Sequence, residues 1–184
     1  SAQLIGAANL LHFQNGKIVG HSSDGWAAIE SLKEENVAIA GKHLAILGGG
    51  GAARSLALTF ARAGAREISI FNRTTERAQK IAEEVRALGV SARALPPDAS
   101  TLLATLPACD VLINATSIGM HPRENEIPLP SEVLSDEVLR RVLTPQIAVY
   151  DIVYNPLETR LLKATRECGA RAVDGLGMLI YTNV

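Results

Sequence analysis

Gly48, Gly50 and Ala53 stand at the spacing GxGxxA within GGGGAARS, between the apolar run HLAIL and the Ala-rich, helix-patterned AARSLALTFARA. In a strand, loop and helix context the first glycine permits a tight turn and the second lets the backbone approach a pyrophosphate. The small third residue lets the helix pack on the strand, and the helix N-terminus offers unpaired N–H groups to the phosphates. By spacing alone Gly48, Gly50 and Ala53 are required, whereas Gly49 and Gly51 fill positions that tolerate other small residues. The kind of dinucleotide is read at the end of the next apolar run, EISIF, where a carboxylate roughly 20 residues on would hold a free ribose 2'-hydroxyl. The chain instead reads FNRTTER, giving Asn72, Arg73 and Thr74, with Arg77 one turn further. Guanidinium groups pair bidentately with phosphate, so this favours the 2'-phosphate of NADP; the plainer alternative is a pair of solvated arginines at a helix start.

Three other places carry polar or glycine-rich chemistry. NATSIGM (114–120) follows an apolar run and sets Thr116, Ser117 and Gly119 toward a ligand crevice if that run is a parallel strand. A polar loop with a glycine turn is the competing account. Tyr154, read as the end of another strand and followed by Asn155 and Pro156, faces either substrate or the core edge. DGLGML (174–179) places Gly175 and Gly177 where backbone could pass close to a flat ring, with Met178 as an apolar wall, or forms a plain turn before a helix. His12, His21, His43 and His121 show no ligand spacing, and no metal site is expected.

The elements that must position these residues follow from periodicity. Residues 4–20 hold two apolar runs around QNG, a hairpin signal because Asn15 and Gly16 tolerate positive φ. Asp24 suits a helix N-cap, with Ala27, Ala28, Ile29 and Leu32 at helical spacing. From His43 onward short apolar runs (43–47, 67–71, 90–94, 110–115, 145–154, 170–173) alternate with helix patterns (52–63, 75–88, 99–106, 157–169). Such alternation implies βαβ crossovers and an α/β fold with a doubly wound parallel sheet, preceded by an N-terminal hairpin and helix segment. The proline-rich HPRENEIPLPSE reads as a loop.

Bulk composition narrows the function classes. The chain has 184 residues, 47% hydrophobic, 20% charged and a net charge of -1, which gives no electrostatic footprint for nucleic acid or an anionic membrane. No stretch approaches the roughly 18 apolar residues of a membrane helix. Cys109 and Cys168 lack any paired spacing, which fits a reducing compartment, and the expected location is cytoplasmic. The opening Ser1 and the apolar close MLIYTNV give the expectation that both ends belong to something longer.

Taken in order, GAANLL, SSDG, GGGGAAR, NRT, NATSIGM, DIVYNP and DGLGML resemble the shikimate dehydrogenase family across nearly the whole chain. The resemblance implies a Rossmann-type NADP-binding domain at 37–184 and, at 1–36, the remnant of a substrate lobe with its connecting helix. It implies reduction of 3-dehydroshikimate to shikimate with NADPH, and a cyclic hydroxy acid as the small-molecule substrate. Asn9 matches the asparagine of the family's GAVNT pattern and Asp24 the aspartate of its NTDG pattern, both substrate contacts, the aspartate also partnering a catalytic lysine. Gly48, Gly49, Gly50, Gly51, Ala52 and Ala53 match the phosphate loop, which runs on to Arg54; Asn72, Arg73, Thr74 and Arg77 match the 2'-phosphate cluster. Thr116, Ser117 and Gly119 match the adenosine-to-nicotinamide wall, Tyr154 a substrate-side tyrosine, and Gly175 and Met178 the nicotinamide-facing turn.

The departures matter equally. No lysine here falls in a motif matching the family's catalytic lysine, Thr182 stands where a substrate-contacting glutamine is usual, and GAANLL and SSDG both lack the usual Asn-Thr pair. The expectation is a chain that binds NADP but barely turns over substrate unless a substrate lobe, in cis or in trans, completes it. Two alternatives stay open: a non-catalytic regulatory or sensor module on the same scaffold, and a quinate dehydrogenase, whose cofactor pocket usually carries an acid where this chain has Asn72 and Arg73.

Overall fold

A computed structural model of the chain describes residues 8–183. Strands β1 (Leu10–Gln14) and β2 (Lys17–His21) form an antiparallel hairpin closed by Asn15 and Gly16, both at positive φ (52° and 73°), the turn that matches strand twist. Its apolar residues Leu11, Phe13 and Ile18 all point into solvent. Helix α1 (Asp24–Glu34) starts one residue earlier than the N-cap expectation for Asp24 implies: Ser23 is the cap and Asp24 the first helical residue. The carboxylate still lies in the first turn, where the helix dipole favours a negative charge.

The central sheet has six parallel strands in the order β5-β4-β3-β6-β7-β8: β3 (His43–Leu47), β4 (Glu67–Phe71), β5 (Ser91–Leu95), β6 (Val111–Asn114), β7 (Ala148–Asp151) and β8 (Arg171–Val173). The order reverses between β3 and β6, whose registered partners at the carboxyl end are Leu47 and Asn114. Connections leaving in opposite directions open a crevice there, where ligands of doubly wound sheets bind.

Both faces of β3 are buried, and its residues alternate between two cores. Leu44 and Ile46 join a core formed with α1, α2 (Gly51–Arg62), α3 (Thr75–Ala87) and α7 (Leu176–Thr182). Ala45 and Leu47 join a second core with α4 (Ala99–Thr105), α5 (Asp136–Val142) and α6 (Arg160–Glu167). That two-sided burial is why HLAIL reads as an unbroken apolar run. Ala27, Ala28 and Leu32 of α1 belong to the first core, so this helix is packed into the sheet domain. Trp26 meets Tyr181 edge to face at 5.8 Å and the Tyr181 hydroxyl donates to Glu34 at 2.6 Å, fixing α7 against α1.

Three expectations need correction. The strand expected over 145–154 is only Ala148–Asp151, so Tyr154 does not end a strand but lies in the following loop, 45% exposed, ahead of a cis Asn155-Pro156 bond. Its exposure removes the core-edge account. The proline-rich stretch ends in a 3-10 turn, Ser131–Val133, and leads to α5, for which the sequence showed no expected element. At seven residues α5 is too short to display a periodic pattern.

Candidate functional site

At the switch point the glycine loop closes down on the sheet. Gly48 sits at φ +122°, and a Cβ there would come within 2.8 Å of the Ala115 carbonyl oxygen, so only glycine fits. Gly49, expected to tolerate other small residues, is in fact tight: a Cβ would stand 2.7 Å from the Asn72 side chain, which is held by donating to the Thr74 carbonyl at 2.8 Å. Gly50 behaves oppositely. A Cβ there would meet nothing within 4 Å and would occupy only the open crevice, the space a pyrophosphate needs. Gly50 is also the N-cap of α2 and supplies no side-chain cap, leaving the first-turn N–H groups around Gly51 and Ala52 available to an anion. Ala53 is fully buried, the small residue that lets α2 lie close to the sheet. Arg54 grips Glu84 of α3 with two bonds of 2.6 and 2.7 Å, locking α2 to α3.

Gly48, Gly49 and Gly50 line a crevice of about 440 Å³ together with Asn72, Arg73, Thr116 and Ser117. Thr74 and Arg77 lie beside it at the start of α3, both exposed. Neither the Arg73 nor the Arg77 guanidinium has a partner among the described residues. Two unpaired cations beside an uncapped helix N-terminus make an anion site of higher charge than a ribose hydroxyl requires. The opposite wall, which sequence reasoning missed, comes from Pro97, Arg123 and the apolar segment 127–130. Arg123 pairs with Glu126 on the surface, and only contiguity in three dimensions associates this segment with the glycine loop.

The 114–119 loop is held by its own side chains. Asn114 Oδ1 accepts from the Thr116 amide at 3.1 Å and the Thr116 hydroxyl at 2.7 Å, and the Ile118 amide donates back to that hydroxyl oxygen at 3.1 Å. Gly119 does not line the crevice; at φ +97° the place of its absent side chain faces Thr159. Gly175 is likewise occupied from within, since a Cβ would collide with the Ile152 carbonyl, and Gly177 gives room to Ser31 of α1 rather than to a ligand ring. Met178 is buried among core residues.

A second corner forms where the hairpin meets α1. Asn9 Nδ2 donates to Asp24 Oδ1 at 2.6 Å and to Ser23 Oγ at 2.9 Å, while Asn9 Oδ1 accepts from the Ser23 amide at 2.9 Å. Thus the two residues singled out as substrate contacts touch each other, 15 positions apart in sequence. Burial pushes the Asp24 carboxyl above its ordinary value of 3.8. Ser55 of α2, absent from the sequence expectations, joins this corner to the glycine loop's helix by accepting from the Gly25 amide at 3.2 Å and bonding Ser22 at 3.0 Å. A serine on the apolar face of an Ala/Leu-rich helix was its one visible signal.

Comparisons with known proteins agree with this geometry. The family model for shikimate / quinate 5-dehydrogenase matches residues 30–125. A shikimate dehydrogenase (NADP(+)) from Methanopyrus kandleri is 42% identical over 98% of this chain and 60% of its own length. The crystal structure of shikimate 5-dehydrogenase from Listeria monocytogenes, in complex with shikimate and NAD, superposes with a TM-score of 0.86 at 36% identity, covering 98% of this chain and 61% of that one. The ligand-free 5-ketofructose reductase of Gluconobacter sp. strain CHM43 follows at a TM-score of 0.82 and 38% identity, over 100% of this chain and 62% of that one. The chain thus spans about 60% of the length of the curated relatives it matches. With its switch-point glycine loop, its parallel sheet order and the matched segment in agreement, the chain belongs to the shikimate / quinate 5-dehydrogenase family.

Proposed function

We propose that this chain is the NADP-binding part of a shikimate dehydrogenase-type oxidoreductase, acting on 3-dehydroshikimate and NADPH. The observation that carries the reading is the crevice itself: a glycine loop with open space over Gly50, an uncapped helix N-terminus, and the unpaired guanidinium groups of Arg73 and Arg77 where a 2'-phosphate would lie. The residues present fit the dinucleotide. Gly48 to Ala52 would hold the pyrophosphate, Asn72 to Thr74 and Arg77 the phosphorylated ribose, and Thr116 and Ser117 the wall toward the nicotinamide end. NADPH supplies the hydride in such chemistry. Relatives differ here, since the Methanopyrus protein is named for NADP and the Listeria complex contains NAD, so the arginines decide for this chain.

On the substrate side the chain's own residues do less. Asp24, its proton affinity raised by burial and its carboxylate oriented by Asn9, suits a carboxylate that steadies a hydroxyl or a neighbouring proton donor. It offers one group where ketone reduction needs both a proton donor and its partner. The two lysines that follow Asp24 are engaged elsewhere, Lys33 with Glu30 at 2.6 Å and Lys42 with Asp110 at 2.9 Å, and Lys17 lies at the exposed turn end of the hairpin. Tyr154, solvent-facing beyond β7, is the further substrate-side contact we assign. The exposed Leu11, Phe13 and Ile18 give the hairpin the character of a seam for a substrate lobe, in cis or in trans. Titration of the chain with NADPH and NADH, followed by cofactor fluorescence, tests the reading: tight NADPH and weak NADH binding support it, and equal affinities overturn the arginine assignment. Steady-state NADPH oxidation with 3-dehydroshikimate should be negligible for this chain alone.

A further inference from the structure

Asp151, at the carboxyl end of β7, is completely buried, and its carboxylate accepts from three donors contributed by three different segments. Asn114 Nδ2 donates to Oδ1 at 2.9 Å from the end of β6, the Val153 amide donates to Oδ1 at 3.1 Å from the loop that carries Tyr154, and the Thr159 hydroxyl donates to Oδ2 at 2.7 Å from the N-cap of α6. Each donor is committed further. Asn114 ties the Thr116 amide and hydroxyl and also donates to the Ile118 carbonyl at 3.1 Å, so it shapes the crevice wall. Thr159 caps α6 by accepting from the Leu162 amide, and its methyl lies 3.4 Å from where a Gly119 side chain would start. The Ile152 amide donates to the Asn114 carbonyl at 3.2 Å and the Val153 carbonyl accepts from the Gly175 amide at 3.2 Å, extending the network to the start of α7.

A buried carboxylate is costly, and an apolar residue of equal volume would serve packing better. What an acceptor-only group adds is the ability to take donors from every side at once, fixing the segments that carry them in one mutual arrangement. We propose that Asp151 is the positioning residue that couples the 114–119 crevice wall to the 152–155 loop bearing Tyr154, so that filling the crevice orders the substrate-side loop. Asp151 itself touches neither cofactor nor substrate. The inference rests on the crevice being the NADP site, but the coupling can be read without the cofactor.

Amide hydrogen exchange on the whole chain supplies the test. Without cofactor, Thr159→Val removes one arm while leaving the carboxylate and its other two donors, and exchange at Ile118 and Val153 should rise together by about tenfold, the weight of one lost hydrogen bond. A change confined to 159–162, with Ile118 as protected as before, overturns the coupling. With NADPH, protection in the unaltered chain should spread from 114–119 to the amides of 152–155; in Asp151→Ala it should stop at 119. Asp151→Asn should restore the spread, because the amide oxygen still accepts from Asn114 and Val153. Protection that never reaches 152–155 in the unaltered, NADPH-bound chain, or reaches it equally in Asp151→Ala, overturns the proposal. If Asp151→Ala does not fold, Thr159→Val decides; if NADPH does not bind, the cofactor reading fails while the cofactor-free comparison still judges the coupling.

Discussion

The glycine-loop crevice and the Asn9–Asp24 corner are joined through the first turns of α2, where Ser55 bonds Gly25 and Ser22, yet they are built to different degrees of completeness. Around the crevice two glycines and one wall are enforced from behind: Gly48 by Ala115, Gly49 by Asn72, and the wall at 114–119 by a buried polar network. At the corner Asn9 makes three hydrogen bonds to Ser23 and the half-buried Asp24, next to a hairpin whose apolar residues face solvent. The crevice is lined wholly by segments of this chain: the ends of β3 and β4, the glycine loop, Pro97, and the loops at 115–118 and 123–130. The corner lies beside the solvent-exposed hairpin, where the proposed substrate lobe would cover it.

Breaking the crevice should have the largest effect. Gly48→Ala forces a side chain at positive φ against a carbonyl, and we expect NADPH binding to vanish and the chain to lose about 3 kcal/mol or more in denaturant unfolding. A variant with unchanged affinity and stability would show that the loop is slack. Next comes the buried carboxylate behind the wall. Burial raises the Asp151 carboxyl from 3.8 to about 6. Since its folded value lies above its unfolded one, protonation favours the folded chain: the charge penalty is complete above about pH 6 and disappears as pH falls toward 3.8. The rise is worth about 3 kcal/mol at most. Melting curves at pH 5 and pH 7.5 should therefore show a larger low-pH gain in the unaltered chain than in Asp151→Asn, and identical pH slopes would remove this role.

Smaller effects separate cofactor chemistry from scaffold. Arg73→Ala, alone or with Arg77→Ala, should weaken NADPH by about 10- to 100-fold per lost charge-assisted bond while leaving NADH unchanged, in a fluorescence titration. Parallel loss for both cofactors would reassign the arginines to general electrostatics. Asp24→Asn should leave NADPH affinity within about twofold, because Asp24 does not line the crevice. Smallest of all, Phe13→Ser on the hairpin should change the unfolding free energy by less than about 0.5 kcal/mol. A large loss there would mean that the hairpin is already packed in solution, which would contradict its exposure.

Much of the crevice was legible because chemistry and local geometry coincide in it. Glycine spacing, the absence of a carboxylate at Asn72–Arg73 and an apolar run on each side are all local properties, and the sheet reproduced the expected strands with shifts of a few residues. Other parts failed for identifiable reasons. Apolar residues continuing past Asp151 make the sequence extend the strand to Tyr154, whereas β7 stops at the buried carboxylate of Asp151. The tightness at Gly49 was invisible because it depends on Asn72, 23 positions away. The wall from Arg123 to Pro130 carries no periodic pattern and faces the crevice only through the fold.

By itself the sequence determined the alternation of strands and helices, the phosphate-approach loop and the cationic cluster, because each rests on residues within one or two turns of one another. Only the tertiary structure decided which glycines are obligatory, that Asn9 and Asp24 meet, and that Asp151 gathers donors from three segments. Those outcomes depend on distances between residues remote in sequence, and such distances are set by the order and burial of the sheet.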